Sequence, residues 1–467
     1  MIVKQKKMDK RINYKLNLDT IFASASSMGL SAIKTVRISG NEAKKIFKIL
    51  TKKKLSKARY SNLINLYDIK NSSLIDKAIV VWFPSPKTYT GEDMLEINIH
   101  GGCSVLEHLI ENLLLIKNVR EANPGEFTKR AFRNNKIDFL EAEGIMDLIN
   151  AETKYQKSLA MHQVSGELST IFKKWNKKLL KLLAHFEGQI DFPEDEVPKN
   201  THEKVISQVS DLIKEIEFFL SENKRGDVIR HGIEIAIIGK PNVGKSSLIN
   251  QIAKKDISIV SKTSGTTRDI IETKINLSNI PIIISDTAGL KKRPKNNVEK
   301  EGVVRSKRKI KNCNLKLLVM DGTKNFEKDI LKLVCNKTII VLNKKDLLSD
   351  KNIVNKIKYL NENNLNQISV ISAKNGSGIN TLLNEIEKYI KYKYKNVFFG
   401  EPSLTRTRHR AYLRKCFINL KKINNNKNPE LNAEDLRLSL NALGNVTGEY
   451  EVEKMLDIVF KDFCIGK

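Results

Sequence analysis

The sequence predicts a multidomain protein of the α/β plus α+β class, in which an α/β domain with a parallel sheet is inserted into a helical domain. Three changes along the 467 residues indicate this arrangement. Residues 1–135 contain short alternating apolar runs broken by turn signals, residues 136–231 have helical periodicity, and residues 232–393 alternate strands with helices. Helical periodicity returns over residues 394–467, so the two helical stretches are predicted to form one discontinuous domain.

Local patterns support each part of this division. In the first region, residues 78–83 form a short apolar run and residues 94–99 alternate between apolar and polar side chains, and each is followed by a Pro or Gly turn. In the second region, nine apolar residues between positions 168 and 190 are separated by steps of one, three or four residues and predict one buried helical stripe. The third region has five short apolar runs that predict the strands of its sheet, at residues 233–238, 280–285, 315–320, 338–342 and 368–371.

Composition excludes several classes of protein. A hydrophobic content of 40% is too high for a disordered chain, and no apolar run approaches the length of a membrane helix. The five cysteines are scattered and form no CxxC pair, which argues against disulfides or zinc and predicts a cytoplasmic location. The net charge of 82 − 53 = +29 is consistent with a nucleic-acid partner, but also with the drift of A+T-rich coding sequence. Residues 391–427 have eleven Lys or Arg against one acid and are the best candidates for phosphate contact.

A phosphate-binding loop is predicted at residues 239–246, which match the pattern GxxxxGK[ST]. A predicted strand precedes this loop and a predicted helix at residues 247–253 follows it. Glycines let the backbone N–H groups wrap around a phosphate, and the helix directs its positive end toward the same anion. Lys245 is expected to bridge the β- and γ-phosphates, and Ser246 to bind Mg²⁺.

Three further motifs follow in the order that a GTPase requires. Asp286 ends a predicted strand and can hold Mg²⁺ through a water, while the Gly289 N–H faces the γ-phosphate. The Asp346 carboxylate can accept from both N1–H and N2–H₂ of guanine, and adenine has no such donor pair. The motifs therefore predict GTP as the nucleotide. Their residues are Asp286, Thr287, Ala288, Gly289, Asn343, Lys344, Asp346, Ser372, Ala373 and Lys374.

The segment between the phosphate loop and Asp286 is suited to a mobile switch. Thr267 is the natural second hydroxyl ligand for Mg²⁺ in this segment. Leu290 follows the second motif, where Ras-type GTPases have a glutamine that orients water. A leucine cannot orient water, so hydrolysis must use another side chain, another positive charge, or both. Glu299 and Glu301 are the candidate side chains.

Taken together, these residues resemble the MnmE (TrmE) family of tRNA uridine-modification GTPases over nearly the whole chain after residue 19. The loop at residues 265–269 also occurs in Era-like and Der-like GTPases, so it does not decide between families. The terminal sequence Cys-Ile-Gly-Lys does decide between them, because a chain end that would otherwise fray has no structural need for a specific sequence. The most specific segments are residues 36–40, 90–93, 100–102, 124–128, 190–193 and 463–467.

This resemblance implies a Ras-like P-loop GTPase inserted in a discontinuous helical domain, together with an N-terminal α+β folate-binding domain. In that family K⁺ supplies the charge that an arginine finger supplies elsewhere, and Glu299 orients the attacking water through a second water. The implied potassium ligands are Asn242, Ser261, Thr263 and Thr266. The implied GTP-binding residues of the two loops are Asn242, Val243, Gly244, Lys245, Ser246, Ser247, Ser261, Lys262, Thr263, Ser264, Gly265, Thr266 and Thr267.

The resemblance further implies a tetrahydrofolate derivative (5-formyl or 5,10-methylene), a homodimer, and a flavin-dependent partner, MnmG, in a heterotetramer that modifies the wobble uridine of tRNA. Cys464 matches a terminal cysteine proposed to take part in that chemistry. The stretch 23–29 departs from the Pro/Gly-rich sequence usual in relatives and puts part of the folate pocket in question. The folate contacts carry over onto Arg37, Glu96, Lys136 and Lys467.

Two other readings remain open at the level of sequence. A ribosome-assembly GTPase of the Der or Era type predicts association with rRNA and no role for Cys464. A folate-binding scaffold whose GTPase only sets the geometry of a dimer predicts that variants unable to hydrolyse GTP still support modification.

Overall fold

The computed structural model describes residues 19–27, 29–191, 200–222, 226–254, 272–286, 308–326, 331, 333–394, 402–424, 428–448 and 466. The described residues group into two compact units. One lies within residues 1–143 and 447–467, and the other within residues 144–446. In the part of the chain that is described, no helix is both long and apolar enough to cross a membrane.

The first unit is built on a six-stranded sheet with the strand order β3-β4-β5-β2-β1-β6. All neighbouring pairs are antiparallel except β1 and β6, which are parallel. The strands are β1 (Thr20–Ser24), β2 (Ile33–Ser39), β3 (Asn62–Tyr67), β4 (Leu74–Phe83), β5 (Met94–His100) and β6 (Val119–Glu121). The helices are α1 (Ala43–Thr51), α2 (Cys103–Leu114), α3 (Glu126–Arg133) and α4 (Phe139–Ile149), which continues into the second unit.

Alternation along β2 and β5 gives this sheet one face buried in the main core and a second face, the open face, that is covered only in part. Val36 and Ile97 are fully buried on the face that packs into a core with Phe47 of α1. Successive side chains of a strand point to opposite faces. Arg37 and Glu96, which are directly opposite each other in the register, therefore lie on the other face. The α+β class predicted for this region is confirmed.

A buried network of charges anchors α3. Arg120 donates to both carboxylate oxygens of Glu126, at 2.8 and 2.7 Å. Arg130, whose side chain is 8% exposed, donates to Glu126 at 3.1 Å and to Glu92 at 3.0 Å. Burial alone raises the pKa of Glu126, but these guanidinium groups and the N–H of Asn123 lower it to about 2. Glu126 is therefore ionised in the folded protein.

We expect the free energy of unfolding of the first unit to depend less on pH in the Glu126→Gln variant than in the parent. The pKa of Glu126 is lower than its ordinary value of 4.5, so the charged form stabilises the fold above pH 4.5. That stabilisation is lost as the pH falls from 4.5 toward 2. The variant should have a free energy of unfolding on the order of 1 kcal/mol lower at pH 6, and the deficit should shrink toward zero near pH 2.

Urea unfolding measures this effect. A Trp175→Phe background leaves Trp82, which is buried in the first unit, as the fluorescent reporter. The exposed Glu121→Gln, a few residues away, is the matched control and should follow the parent at every pH. A constant deficit from pH 6 to pH 2 would contradict the role of the Glu126 charge.

The helical part of the second unit carries the predicted apolar stripe. Along α6, buried positions recur from Leu168 through Trp175 to Phe186, but Ile190 is 40% exposed and ends the stripe earlier than predicted. The helices outside the α/β domain are α5 (Lys154–Val164), α6 (Glu167–Asp191), α7 (Asn200–Glu222), α8 (Gly226–His231), α12 (Thr407–Leu420) and α13 (Pro429–Thr447).

The inserted domain contains the predicted parallel sheet, with the strand order β12-β11-β10-β7-β9-β8. Five strands are parallel, and β8 joins as an antiparallel edge that the sequence had not indicated. The strands are β7 (Ile233–Ile238), β8 (Glu272–Leu277), β9 (Ile280–Asp286), β10 (Leu315–Asp321), β11 (Thr338–Asn343) and β12 (Ile368–Val370). Its helices include α9 (Lys245–Lys254), α10 (Asp350–Glu362) and α11 (Ile379–Lys393).

The strand order places a ligand crevice at the carboxyl ends of β7 and β10. From β7 the sheet extends to β9 on one side and to β10 on the other, so the loops that follow diverge at this point. The central strands β7, β10 and β11 are almost wholly buried. The predicted phosphate loop and the predicted base motif leave the sheet at this edge.

One carboxylate ties together the chain segments that enter and leave the inserted domain. Asp147 at the end of α4 accepts from Arg230 in α8 at 2.8 Å and from Arg406, just before α12, at 3.1 Å. A Cβ on Gly226 would lie 2.7 Å from the carbonyl oxygen of Leu404, so the two segments touch. The crossings into and out of the domain are thus adjacent.

Candidate functional site

Two glycines give the loop between β7 and α9 its shape. Gly239 has φ +154°, and a Cβ there would lie 2.3 Å from the carbonyl oxygen of Val319. Gly244 has φ +97°, and a Cβ there would lie 2.2 Å from Nδ2 of Asn343. Any side chain at either position would collide with a fixed group, and the positive φ values also favour glycine. The loop is therefore held close to the neighbouring strands, with the first turn of α9 directly behind it.

Lys245 folds over this loop. Its Nζ donates to the carbonyl oxygens of Gly239 at 3.0 Å and Lys240 at 2.8 Å, which places the ammonium at the mouth of the loop. Ser246 and Ser247 follow it in the exposed first turn of α9. Asn242 is exposed at the tip, with φ +61°. An ammonium, helix N–H groups and a hydroxyl thus converge where a nucleotide phosphate and Mg²⁺ are expected.

Asn343 joins two parts of the site. Its side chain is buried and donates to the carbonyl oxygen of Val243 at 2.8 Å, while its Oδ1 accepts from the Ala373 N–H at 2.8 Å. The phosphate loop and the loop after β12 are therefore fixed relative to each other. The sequence assigned Asn343 to the base pocket, and the structure shows that it also positions the neighbouring loops.

Asp346 is exposed and held in place by Ser372. The Ser372 hydroxyl donates to Oδ1 of Asp346 at 2.5 Å, and this hydrogen bond lowers the pKa of Asp346. Ser372 itself is fully buried, so it fixes the carboxylate from beneath. Lys374, two residues further on, is exposed, and its carbonyl oxygen accepts from Gln251 of α9 at 3.4 Å. An oriented, ionised carboxylate is what recognition of the guanine N–H groups requires.

Sequence reasoning missed the partner of Lys344. Lys344 has φ +67°, and its Nζ lies 2.7 Å from Oδ2 of Asp321 at the end of β10. Burial raises the pKa of Asp321, but hydrogen bonds from Lys344 and Thr323 lower it to about 2. The available signal was that Asp321 ends the strand beside β11, where side chains of adjacent parallel strands meet.

Several predicted site residues cannot be placed. Asp286 ends β9, as predicted, but its side chain is not among those described. The remaining ones lie outside the described residues: Ser261, Lys262, Thr263, Ser264, Gly265, Thr266, Thr267, Thr287, Ala288, Gly289, Leu290, Glu299, Glu301, Cys464 and Lys467.

The open face of the first sheet brings together Arg37 and Glu96. The Arg37 Nε and Nη2 both lie 2.9 Å from Oε1 of Glu96. The guanidinium also lies 5.6 Å from the centre of the Tyr89 ring and 5.9 Å from that of Phe127. The sequence did not single out these aromatic residues, although Tyr89 adjoins one specific motif and Phe127 belongs to another. Lys136 lies beside the loop between β4 and β5, which contains Tyr89. A Cβ on Gly91 of that loop would be 3.0 Å from the Lys136 Cε.

Gly466 of the C-terminal motif lies against the same sheet. Gly466 has φ +103°, and a Cβ there would lie 2.4 Å from the carbonyl oxygen of Ser24. Ser24 ends β1, and the preceding Ala23 is directly opposite Arg37 in the register. The described part of the chain end therefore lies one strand away from the Arg37–Glu96 pair.

Comparison with known proteins agrees with this combination of sites. A family model described as GTP-binding protein TrmE N-terminus matches residues 20–136, and one described as MnmE helical domain matches residues 139–464. The tRNA modification GTPase MnmE of Pelagibacter ubique (strain HTCC1062) is 41% identical over 454 residues, covering 96% of this chain and 100% of the relative. The chain belongs to the MnmE family. The MnmE of Rickettsia bellii (strain OSU 85-389) is 38% identical, with coverage of 96% and 100%.

Membership of the MnmE family makes this chain a GTP hydrolase of the tRNA-modifying type. The nucleotide expected from the Asp346 motif and the family resemblance expected from the terminal motifs are both confirmed. Among solved structures, an Era protein of Aquifex aeolicus matches 41% of this chain and 68% of its own length, with 25% identity and a TM-score of 0.28. So low a TM-score supports no argument, and the ribosome-assembly alternative gains nothing from it.

Proposed function

We propose that this MnmE family member couples GTP hydrolysis to modification at C5 of the wobble uridine, position 34, of certain tRNAs. The added aminomethyl or carboxymethylaminomethyl group would draw its carbon from a tetrahydrofolate derivative and be completed with a flavin-dependent MnmG partner. The observation that carries this proposal is the presence in one chain of an oriented Asp346 beside a phosphate loop and a separate open sheet face with an Arg37–Glu96 pair. Full coverage of the curated relatives supports it.

Nucleoside analysis of tRNA tests this proposal directly. Cells that lack the chain should accumulate tRNA with an unmodified wobble uridine, and the intact chain should restore the modification. The Lys245→Met variant, which keeps the N-terminal unit, should fail to restore it because hydrolysis is coupled to modification. Normal tRNA in the deleted cells would contradict the proposed function. Restoration by Lys245→Met would instead favour the folate-binding scaffold.

We further propose that K⁺ assists hydrolysis. Asn242 presents its side chain at the exposed tip of the phosphate loop, where an amide oxygen can contact a cation beside the phosphates. Backbone carbonyls of Ser261, Thr263 and Thr266 would complete the ligand set, and Ser246 with Thr267 would hold Mg²⁺. A fixed positive charge near the transferring phosphoryl group is worth several kcal/mol of transition-state stabilisation. Glu299 is the proposed water-orienting residue.

GTP turnover in KCl should exceed that in NaCl at equal ionic strength by at least about 10-fold. Asn242→Gly removes the amide oxygen while permitting the observed φ of +61°, and it should lose most of this difference. The exposed Asn361→Gly on α10 is the control and should keep it. Equal rates of the parent in the two salts would exclude a catalytic potassium ion.

The open sheet face fits a folate derivative. The Arg37 and Glu96 side chains are 21% and 25% exposed, so both remain within reach of a ligand. A carboxylate suits the N–H donors of a pterin, and a guanidinium or ammonium from Arg37, Lys136 or Lys467 suits its glutamate carboxylates. The Tyr89 and Phe127 rings lie beside this pair and can contact a planar ring. We propose that 5-formyl- or 5,10-methylene-tetrahydrofolate binds here.

The remaining assignments concern partners and the chain end. Leu63 and Ile79 are 60% and 41% exposed and directly opposite each other on the open face of the sheet, which supports burial of this face in a homodimer. MnmG would then bind to form a heterotetramer, with tRNA as the shared substrate and the cytoplasm as the location. We propose that Cys464, two residues before Gly466, takes part in the modification.

A further inference from the structure

One ammonium and two carboxylates lie together at the base-recognition end of the inserted domain. Lys344 immediately precedes the short 3-10 turn Lys345–Leu347, which contains Asp346. The Lys344 Nζ nevertheless lies 2.7 Å from Oδ2 of Asp321, the last residue of β10. The ammonium thus binds the carboxylate that is distant in sequence, although the Asp346 carboxylate is close to it along the chain.

Asp321 is fixed in place and nearly buried. Its side chain is 5% exposed, whereas that of Lys344 is 34% exposed. The N–H and the hydroxyl of Thr323 donate to Oδ1 of Asp321 at 3.0 and 2.6 Å, and Oδ2 faces the ammonium. The N–H of Gly322 donates to the carbonyl oxygen of Asn343 at 2.9 Å, which attaches this turn to the base motif. Asp321 therefore holds the ammonium with an oriented carboxylate.

The charge of Lys344 also acts on Asp346. The hydrogen bond from Ser372 is the main cause that lowers the pKa of Asp346, and the charges of Lys374 and Lys344 lower it further. Asp346 is exposed, so an ammonium released from Asp321 would be drawn to it and would compete with the guanine N–H donors. An exposed ion pair of this kind changes an equilibrium constant by up to about 5-fold.

We propose that Asp321 is a positioning residue for guanine recognition, which holds the Lys344 ammonium away from Asp346 and so keeps that carboxylate open to the base. The proposal rests on the assignment of Asp346 to the guanine N–H groups. It gives Asp321 a role in binding the nucleotide and none in the chemical step. The KM for GTP should therefore depend on Asp321, and kcat should not.

The Asp321→Asn variant of the full-length chain tests the proposal by equilibrium binding of a fluorescent GTP analogue and by steady-state turnover. The side-chain oxygen still accepts from Thr323, so the new NH₂ group faces the Lys344 ammonium and two donors repel each other. In 50 mM KCl we expect GTP affinity to fall by about 3- to 5-fold, with KM raised by a similar factor and kcat unchanged.

Salt dependence and a control identify the ion pair as the cause. In 1 M KCl the difference between Asp321→Asn and the parent should fall below about 2-fold, because salt screens the competing ion pair. Asp350→Asn removes an exposed charge in the first turn of α10 and should match the parent at both salt concentrations. Parental affinity of Asp321→Asn in 50 mM KCl, or an equal loss at both concentrations, would overturn the proposal.

Two backgrounds separate positioning from a structural role. Lys344→Met removes the ammonium, and Asp346→Asn removes the carboxylate that it would reach. In either background Asp321→Asn should change GTP affinity by less than about 1.5-fold, and a loss that persists in full would contradict the proposal. Parental GTP affinity in the single variant Asp346→Asn would instead overturn the assignment of Asp346 itself. Asp321→Ser also removes the carboxylate and should give the same losses, so it decides if Asp321→Asn does not fold.

Discussion

Asp346→Asn should weaken GTP binding by about 100-fold and shift preference toward xanthosine triphosphate. The carboxylate, held by the Ser372 hydroxyl at 2.5 Å, is positioned to accept from two guanine donors. In asparagine, an NH₂ donor replaces one of the two acceptor oxygens, so two donors face each other at the guanine amino group. The charge-assisted hydrogen bond between the carboxylate and that group, worth a few kcal/mol, is lost. Xanthine has a carbonyl at that position and can accept from the new amide.

Competition binding with a fluorescent GTP analogue measures both changes. Asp350→Asn, four residues later in the first turn of α10, removes the same charge away from the pocket and should leave both affinities near those of the parent. If Asp346→Asn binds GTP as tightly as the parent does, Asp346 does not recognise the base. A loss of GTP affinity with no gain for the xanthine nucleotide would show that Asp346 acts by shaping the loop instead.

Lys245→Met should lower GTP turnover by about 100- to 1000-fold. The ammonium lies over the phosphate loop, where it donates to the carbonyl oxygens of Gly239 and Lys240. Removing one preorganised charge from a phosphoryl-transfer site has effects of this size. Methionine keeps the length and the apolar stem, so thermal stability should change little.

Single-turnover phosphate release separates binding from chemistry in this variant. Lys254→Met, at the exposed end of α9, is the matched control and should retain parental turnover. A rise in KM with kcat unchanged would mean that Lys245 contributes only to binding the ground state. Parental turnover in Lys245→Met would contradict the site.

The class of each domain and the phosphate loop could be predicted from the sequence because both depend on local information. The spacing of apolar residues and the turn residues between them predict β7 and α9. The phosphate-loop motif has a glycine at position 244, where the backbone has a positive φ. The edge strand β8 escaped notice because only two of its three buried positions, Ile275 and Leu277, are apolar, which is too short a pattern to predict a strand. Edge strands need less burial and so leave a weaker pattern.

The contacts that organise the site could not be predicted, since they join distant parts of the chain. Asn343 reaches Val243 and Ala373 at once, and Asp147 reaches Arg230 and Arg406. Nothing in the local sequence of either residue indicates such pairing, which depends on the order of strands and helices in space. The same holds for the rings beside Arg37.

The Asp147 carboxylate has a consequence for how a domain can be carried inside another. By binding both Arg230 and Arg406, it holds the two ends of the intervening segment close together. For the helices on either side, the segment is therefore a closed loop, whatever its length. The entropic cost of that closure grows only slowly with the length of the segment. The helical region can therefore assemble as if it were continuous, and the insertion imposes no topological obstacle on its folding.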